Sequence, residues 1–177
     1  MIIKSKLLFV LIGNDKTGKT TLQKLLIEKM CGFGYDKLPT NKKFDISHPE
    51  TKRKYITISF GNRSYQEKIG DYGTVDEYFQ NHFKPADISF ISSHLVEADI
   101  NQMINCGKKG FYNVIGIFFS NSIENNPIEN RDIALLDWNE RLLIENPLTG
   151  DNGEIDKQLV AITDSIVTLI ANRTSIS

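Results

Sequence analysis

Two periods of apolar residues run along this chain. From Lys6 to Ile12 every position after the lysine is apolar (Leu-Leu-Phe-Val-Leu-Ile), as expected of a strand covered on both faces. Residues 21–30 then place Leu22, Leu25, Leu26 and Met30 at helical spacing, which predicts a helix. Residues 31–53 are polar, contain Gly32, Gly34, Pro39 and Pro49, and have no period, so a long loop is expected. Alternation returns in Tyr55-Ile56-Thr57-Ile58-Ser59-Phe60, a strand, followed by Gly61-Asn62, a two-residue hairpin signal. The strand expected at about 64–69 would therefore return antiparallel. Farther on the pattern predicts helices over 75–83, 95–106 (Val96, Ile100, Met103 and Ile104 inward), around 133–138 and over 154–171, the last with Leu159, Ile162, Ile166 and Ile170 on one face. Strands are expected over 87–92, 114–119 and 141–145. This order reads as an α/β three-layer sandwich, with a six-stranded, mostly parallel sheet carrying one antiparallel edge strand, flanked by about five helices.

The first strand runs into Gly13-Asn14-Asp15-Lys16-Thr17-Gly18-Lys19-Thr20, a complete G-x-x-x-x-G-K-T phosphate-binding loop. Its glycines let backbone N–H groups close around a di- or triphosphate. Lys19 can reach the outer phosphates, and the Thr20 hydroxyl can join a Mg²⁺ shell. The helix beginning near Thr21 turns its N-terminus, with its free N–H groups and dipole, toward the same anion. Strand before and helix after are the context the motif requires.

Bulk properties narrow the field without naming a ligand. A chain of 177 residues fits a single domain with a sizeable core, and 40% apolar and 24% charged residues suit a globular protein. The net charge of −1 gives no reason to expect nucleic acid or an anionic membrane as partner. Lys52-Arg53-Lys54 reads as a solvated face. Cys31 and Cys106 lack metal or disulfide-framework spacing, which suggests reduced thiols. No membrane-length apolar run, leader or lipidation signal is evident, so a cytoplasmic protein without an intrinsic membrane anchor is expected.

The order of motifs resembles the Ras-like small GTPases over roughly residues 5–172. The resemblance rests on the first strand and loop, on Tyr35-Asp36-Lys37-Leu38-Pro39-Thr40 where switch I would begin, on Gly70-Asp71-Tyr72-Gly73 where a D-x-x-G would lie, on Ser120-Asn121-Ser122-Ile123-Glu124 where N-K-x-D would lie, and on Ile144-Glu145-Asn146-Pro147-Leu148-Thr149 in place of the last base-binding loop. It implies a G domain with switch I at about 35–51 and switch II at about 71–80. It implies nucleotide contacts from residues 13–20, Thr21, Gly73, Asn121 and Glu124. Mg²⁺ would be held by Thr20, Thr40 and Asp71, and Lys19 and Thr40 would serve the reaction. Thr51 is a lesser rival to Thr40, and the lesser alternative for Asp71 is a turn residue beside Gly70 and Gly73.

The chain also departs from that pattern. The acidic motif is one residue short, Thr74 stands where a water-orienting glutamine would follow Gly73, and Pro147 offers no N–H to a guanine oxygen. Rapid unassisted hydrolysis is therefore not expected. The expected function is a small GTP-binding switch and slow GTPase that binds effector or regulatory proteins through its switch regions. Two alternatives stand beside it: a nucleotide-binding relative without turnover, and a small P-loop kinase, against which the scarcity of arginines (Arg131, Arg141) argues. His94, at a strand end on the same edge, reads as a surface or capping residue.

Overall fold

The computed structural model of the protein describes residues 5–146 and 152–173. In chain order these residues form β1 (Lys6–Ile12), α1 (Lys19–Cys31), β2 (Lys42–Asp45), α2 (Pro49–Lys52), β3 (Thr57–Ser64), a 3-10 turn (Tyr65–Lys68), α3 (Ile69–Tyr72) and α4 (Val75–Asn81). They continue with β4 (Ile88–Ser93), α5 (Glu97–Lys109), β5 (Tyr112–Phe119), α6 (Ser120–Asn125), α7 (Pro127–Ala134), β6 (Glu140–Ile144) and α8 (Asn152–Asn172). The six strands form one sheet in the order β2-β3-β4-β1-β5-β6, parallel throughout except for the antiparallel β2–β3 pair.

Layering follows from the apolar runs. β1 is central, and Leu7 through Ile12 are all buried. Its alternate side chains feed two cores. Leu7, Phe9 and Leu11 pack with Leu22, Leu26 and Met30 of α1 and with Ile166 and Ile170 of α8. Leu8, Val10 and Ile12 pack with Tyr78 of α4, Ile100, Met103 and Ile104 of α5, and Ile133 of α7. The expected three-layer α/β sandwich is what forms, with eight helices of uneven length in place of about five. Across three neighbouring strands Phe90 stacks between Phe9 and Phe60, with ring centroids 4.6 and 5.3 Å away and planes nearly parallel.

Several local expectations are corrected. The hairpin is not at Gly61-Asn62. β3 runs through both residues, and its pairing with β4 is irregular between Phe60 and Ser64. Gly61 is there because a Cβ would come within 2.9 Å of the Tyr78 hydroxyl and 3.2 Å of Asn41 Oδ1, so the glycine marks a close approach at a bulge. The antiparallel partner of β3 is β2, which lies inside the segment expected to be loop. With four residues (Lys-Lys-Phe-Asp) it is too short to show a period, and Phe44 alone carries its burial. Residues 64–69 turn away as the 3-10 turn and α3 instead of forming a strand. Val96 caps α5 and is 39% exposed, so it is not an inward residue. The helix expected around 133–138 lies earlier, from Pro127, a residue suited to the first turn, to Ala134.

Replacing Phe90, wholly buried in the stack, by alanine should destabilise the fold by about 3–5 kcal/mol. Denaturant unfolding measures this; a loss below about 1 kcal/mol would show that the three rings do not hold the sheet's centre together.

Candidate functional site

All parallel strands end on one edge of the sheet, and the connections of β1 and β5 leave that edge in opposite directions, toward β2 and toward β6. In open α/β sheets such a reversal opens a ligand crevice beyond the strand ends. The 13–20 loop sits there. Its conformation uses left-handed backbone at two positions: Gly18, which precedes α1, at φ +97°, a region glycine adopts freely, and Lys16 at φ +64°, which a residue with a Cβ adopts only at a cost. Gly13 leaves no room for a Cβ, which would fall 2.8 Å from Thr17 Cγ2. The Gly13 N–H donates to the Ser93 carbonyl at 3.1 Å, so the end of β4 fixes the start of the loop.

Lys19 lies at the floor of the loop, 8% exposed. Its ammonium donates to the Gly13 carbonyl, to the Asn14 carbonyl at 2.7 Å and to Thr17 Oγ1 at 3.3 Å. Burial lowers its pKa to about 8, against the opposing pull of the Asp15 and Glu67 carboxylates. Thr17 Oγ1 in turn donates to the Asn14 carbonyl at 3.0 Å. From the other side the buried Asn146 clamps the loop. Its Nδ2 donates to the Thr17 carbonyl at 3.2 Å, while its Oδ1 accepts from Ser120 Oγ at 3.3 Å and from the Asn121 N–H at 3.4 Å. The loop is thus tied to the ends of β4, β5 and β6.

A cleft of about 160 Å³ opens over this floor. Its walls are Asp15 through Thr21 on one side and Asn62, Ser64 and Glu67, from the end of β3 and the following turn, on the other. Glu67 Oε2 accepts from Arg63 Nη1 at 3.0 Å, and its Oε1 accepts from the Ser64 N–H at 3.3 Å. His94, whose N–H donates to Gln66 Oε1 at 2.9 Å, brings Nε2 to 3.4 Å from Asp15 and 3.8 Å from Glu67. The histidine therefore stands beside two carboxylates that line the cleft instead of acting as an isolated surface residue. The Thr20 hydroxyl and the Asp15 carboxylate are hard oxygen donors of the kind Mg²⁺ takes, so the cleft's donor set fits that ion.

The residues expected around the phosphates are brought together only in part. Asn14 turns Oδ1 to the Leu95 N–H at 3.3 Å, and Asp15, Lys16, Thr17, Gly18, Lys19, Thr20 and Thr21 line the cleft. Thr40, exposed beside Asn41 (φ +49°), does not line it. Neither does Thr51, which is buried in α2 and bonded to His48. Asp71 is exposed on α3 and pairs with Lys68 at 3.0 Å, and Gly73 closes that helix at φ +68° with its carbonyl accepting from the Tyr65 hydroxyl. Thr74 caps α4, exchanging hydrogen bonds with Glu77. These positions are set by β4, which lies between β1 and β3 and keeps residues 71–80 away from the loop.

Asn121 and Glu124 stand in α6, a helix where a loop was expected; Asn121 is buried with Oδ1 unpartnered among the described residues, and Glu124 is exposed. Pro147-Leu148-Thr149 lies outside the described residues. Arg131 and Arg141 bond to Asp132 and the Ala134 carbonyl, and neither lines the cleft. Glu67 and Asn146 were not foreseen as site residues. The one sequence signal was Ser64-x-x-Glu67, a capping-box spacing directly after a strand. No protein-family model matches this sequence, and no curated protein matches it either. Among the described residues no helix is long and apolar enough to cross a membrane.

Lys19 should make stability depend on pH with a definite sign. In the unfolded chain it titrates near 10.5 and in the fold near 8, so between those values the unfolded state binds more protons and stability rises with pH. Below about pH 8 both states are protonated and the burial cost is carried in full. Unfolding curves collected across that window should show the gain in the wild type and not in Lys19→Met; equal slopes would contradict the assignment.

Proposed function

We propose that this chain binds a magnesium nucleoside triphosphate at the 13–20 loop and works as a slow nucleotide-dependent switch, with guanine as the base that the family resemblance suggests. The observation that carries the phosphate half is Lys19: a buried ammonium bonded, among the described residues, within its own loop, at the N-terminus of the 13-residue α1. Such a cation is costly to bury, and an incoming phosphate is the group that would relieve it. The free N–H groups of α1 and the Thr20 hydroxyl at the cleft favour the same ligand.

In this reading Mg²⁺, when bound, would neutralise charge on the outer phosphates, and Thr20 and Asp15 would hold it. Lys19 leaves the Gly13 and Asn14 carbonyls and turns to the phosphate oxygens. Asn146 keeps the loop in register with the start of α6, where Asn121 and Glu124 are the groups available to a base. The segment that would sense the third phosphate is 62–67, because it forms the opposite wall, and it leads directly into the exposed α3. A change there would be read by partner proteins as order or disorder. A kinase is disfavoured because, among the described residues, no arginine lines the cleft, and Arg63 beside its wall is bonded to Glu67.

GTP or GDP with Mg²⁺ should raise the melting temperature by several degrees, since a ligand at 100 times its Kd adds about 2.7 kcal/mol. ATP and ADP should do less, and Lys19→Ala should abolish the shift. Equal stabilisation by ATP would overturn the guanine assignment; full stabilisation of Lys19→Ala would overturn the site. Affinity should also weaken as pH rises above about 8, because there the free protein has lost the proton that the phosphate needs.

A further inference from the structure

The cleft contains a carboxylate with no part in gripping phosphate. We infer that Glu67 is the catalytic base of γ-phosphate hydrolysis, the group that orients the attacking water and takes its proton. The inference rests on the reading of the 13–20 loop as a triphosphate site. Two carboxylates line the cleft: Asp15, which belongs to the loop itself and has its side chain 79% exposed, and Glu67, on the facing wall. Each would repel a triphosphate, but Glu67 also completes the capping box of the 3-10 turn with Ser64, which fixes its carboxylate in the wall facing the loop.

Glu67 has a partner at each oxygen. Arg63 takes one oxygen at 3.0 Å and the Ser64 N–H the other at 3.3 Å, and the His94 ring stands 3.8 Å away. Each carboxylate oxygen keeps a further lone pair for water. The carboxylate also lies close enough to Lys19 to favour its charged form. A water placed between Glu67 and a phosphate held by Lys19 would meet an acceptor on one side and the electrophile on the other. The expected acidic and water-orienting positions are engaged elsewhere, Asp71 with Lys68 and Thr74 at the cap of α4.

The step balances without a further reactant. The water oxygen forms a bond to the γ-phosphorus as the bond from that phosphorus to the β–γ bridging oxygen breaks. The electron pair leaves with the nucleoside diphosphate, and the water proton passes to the Glu67 carboxylate and then to solvent. Products are the diphosphate and inorganic phosphate.

The test is Glu67→Gln. Glutamine preserves size and the bond from the Ser64 N–H, since the capping position accepts Glu or Gln alike, so the fold should hold. Binding of a fluorescent GTP analogue should be unchanged or tighter, while the single-turnover hydrolysis rate falls at least about 100-fold, the scale of general-base catalysis. Glu67→Asp should retain part of the rate. A Glu67→Gln protein that hydrolyses like the wild type overturns the inference, as does one whose rate is restored by raising Mg²⁺, which would make Glu67 a metal-holding residue. A wild type that binds GTP without any turnover also overturns it. A wild type that binds no nucleotide instead removes the underlying reading, and the binding measurement tells the two failures apart.

Discussion

A lysine ammonium cannot be buried without oxygen atoms around it, and the arrangement of this protein's edge follows from meeting that condition at Lys19. Two backbone carbonyls and one threonine hydroxyl of a single loop supply the oxygens. Keeping those three atoms together requires a loop with left-handed turns at Lys16 and Gly18, a glycine at 13 that admits the Thr17 side chain, and external ties to Ser93 and Asn146. The result is a cation whose proton is held loosely, with a pKa of about 8, and whose present partners, among the described residues, lie within its own loop. A group in that condition is poised to exchange partners.

The sheet supplies the rigidity. β1 is buried from Leu7 to Ile12, flanked by β4 and β5, and the aromatic stack across β1, β4 and β3 fixes the spacing of the strands whose ends build the cleft. The strand order has a chemical consequence. With β4 between β1 and β3, the end of β3 reaches the cleft as its far wall, and the residues after it do so only as far as Glu67. The wall facing the loop is therefore Asn62, Ser64 and Glu67, a set of polar side chains, and α3 and α4 fall outside.

Much of this was legible in the sequence where the signal was local. The loop is specified by eight consecutive residues and the central strand by an unbroken apolar run, and both stand where their spacing places them. The long amphipathic α8 likewise buries Leu159, Ile166 and Ile170 as its period requires. What the sequence concealed was pairing. Gly61-Asn62 has the chemistry of a tight turn, yet the same glycine serves a bulge under the Tyr78 hydroxyl, and only the position of α4 distinguishes the two. β2 escaped notice because one phenylalanine is its whole buried face. Asp71 and Thr40 were placed by order along the chain, and order does not reveal that another strand intervenes. Glu67 was hidden for a different reason, since a capping glutamate and a catalytic one look the same until a phosphate loop is found opposite.

The central claim is that Lys19 exchanges its loop carbonyls for phosphate oxygens. A crystal structure of the protein with Mg²⁺ and a non-hydrolysable guanosine triphosphate analogue tests it most directly. The account predicts Lys19 Nζ within hydrogen-bonding distance of the outer phosphates, detached from the Gly13 and Asn14 carbonyls, with Thr20 at the metal. Finding the lysine still bonded to those two carbonyls, with the nucleotide elsewhere or not bound at all, would contradict it.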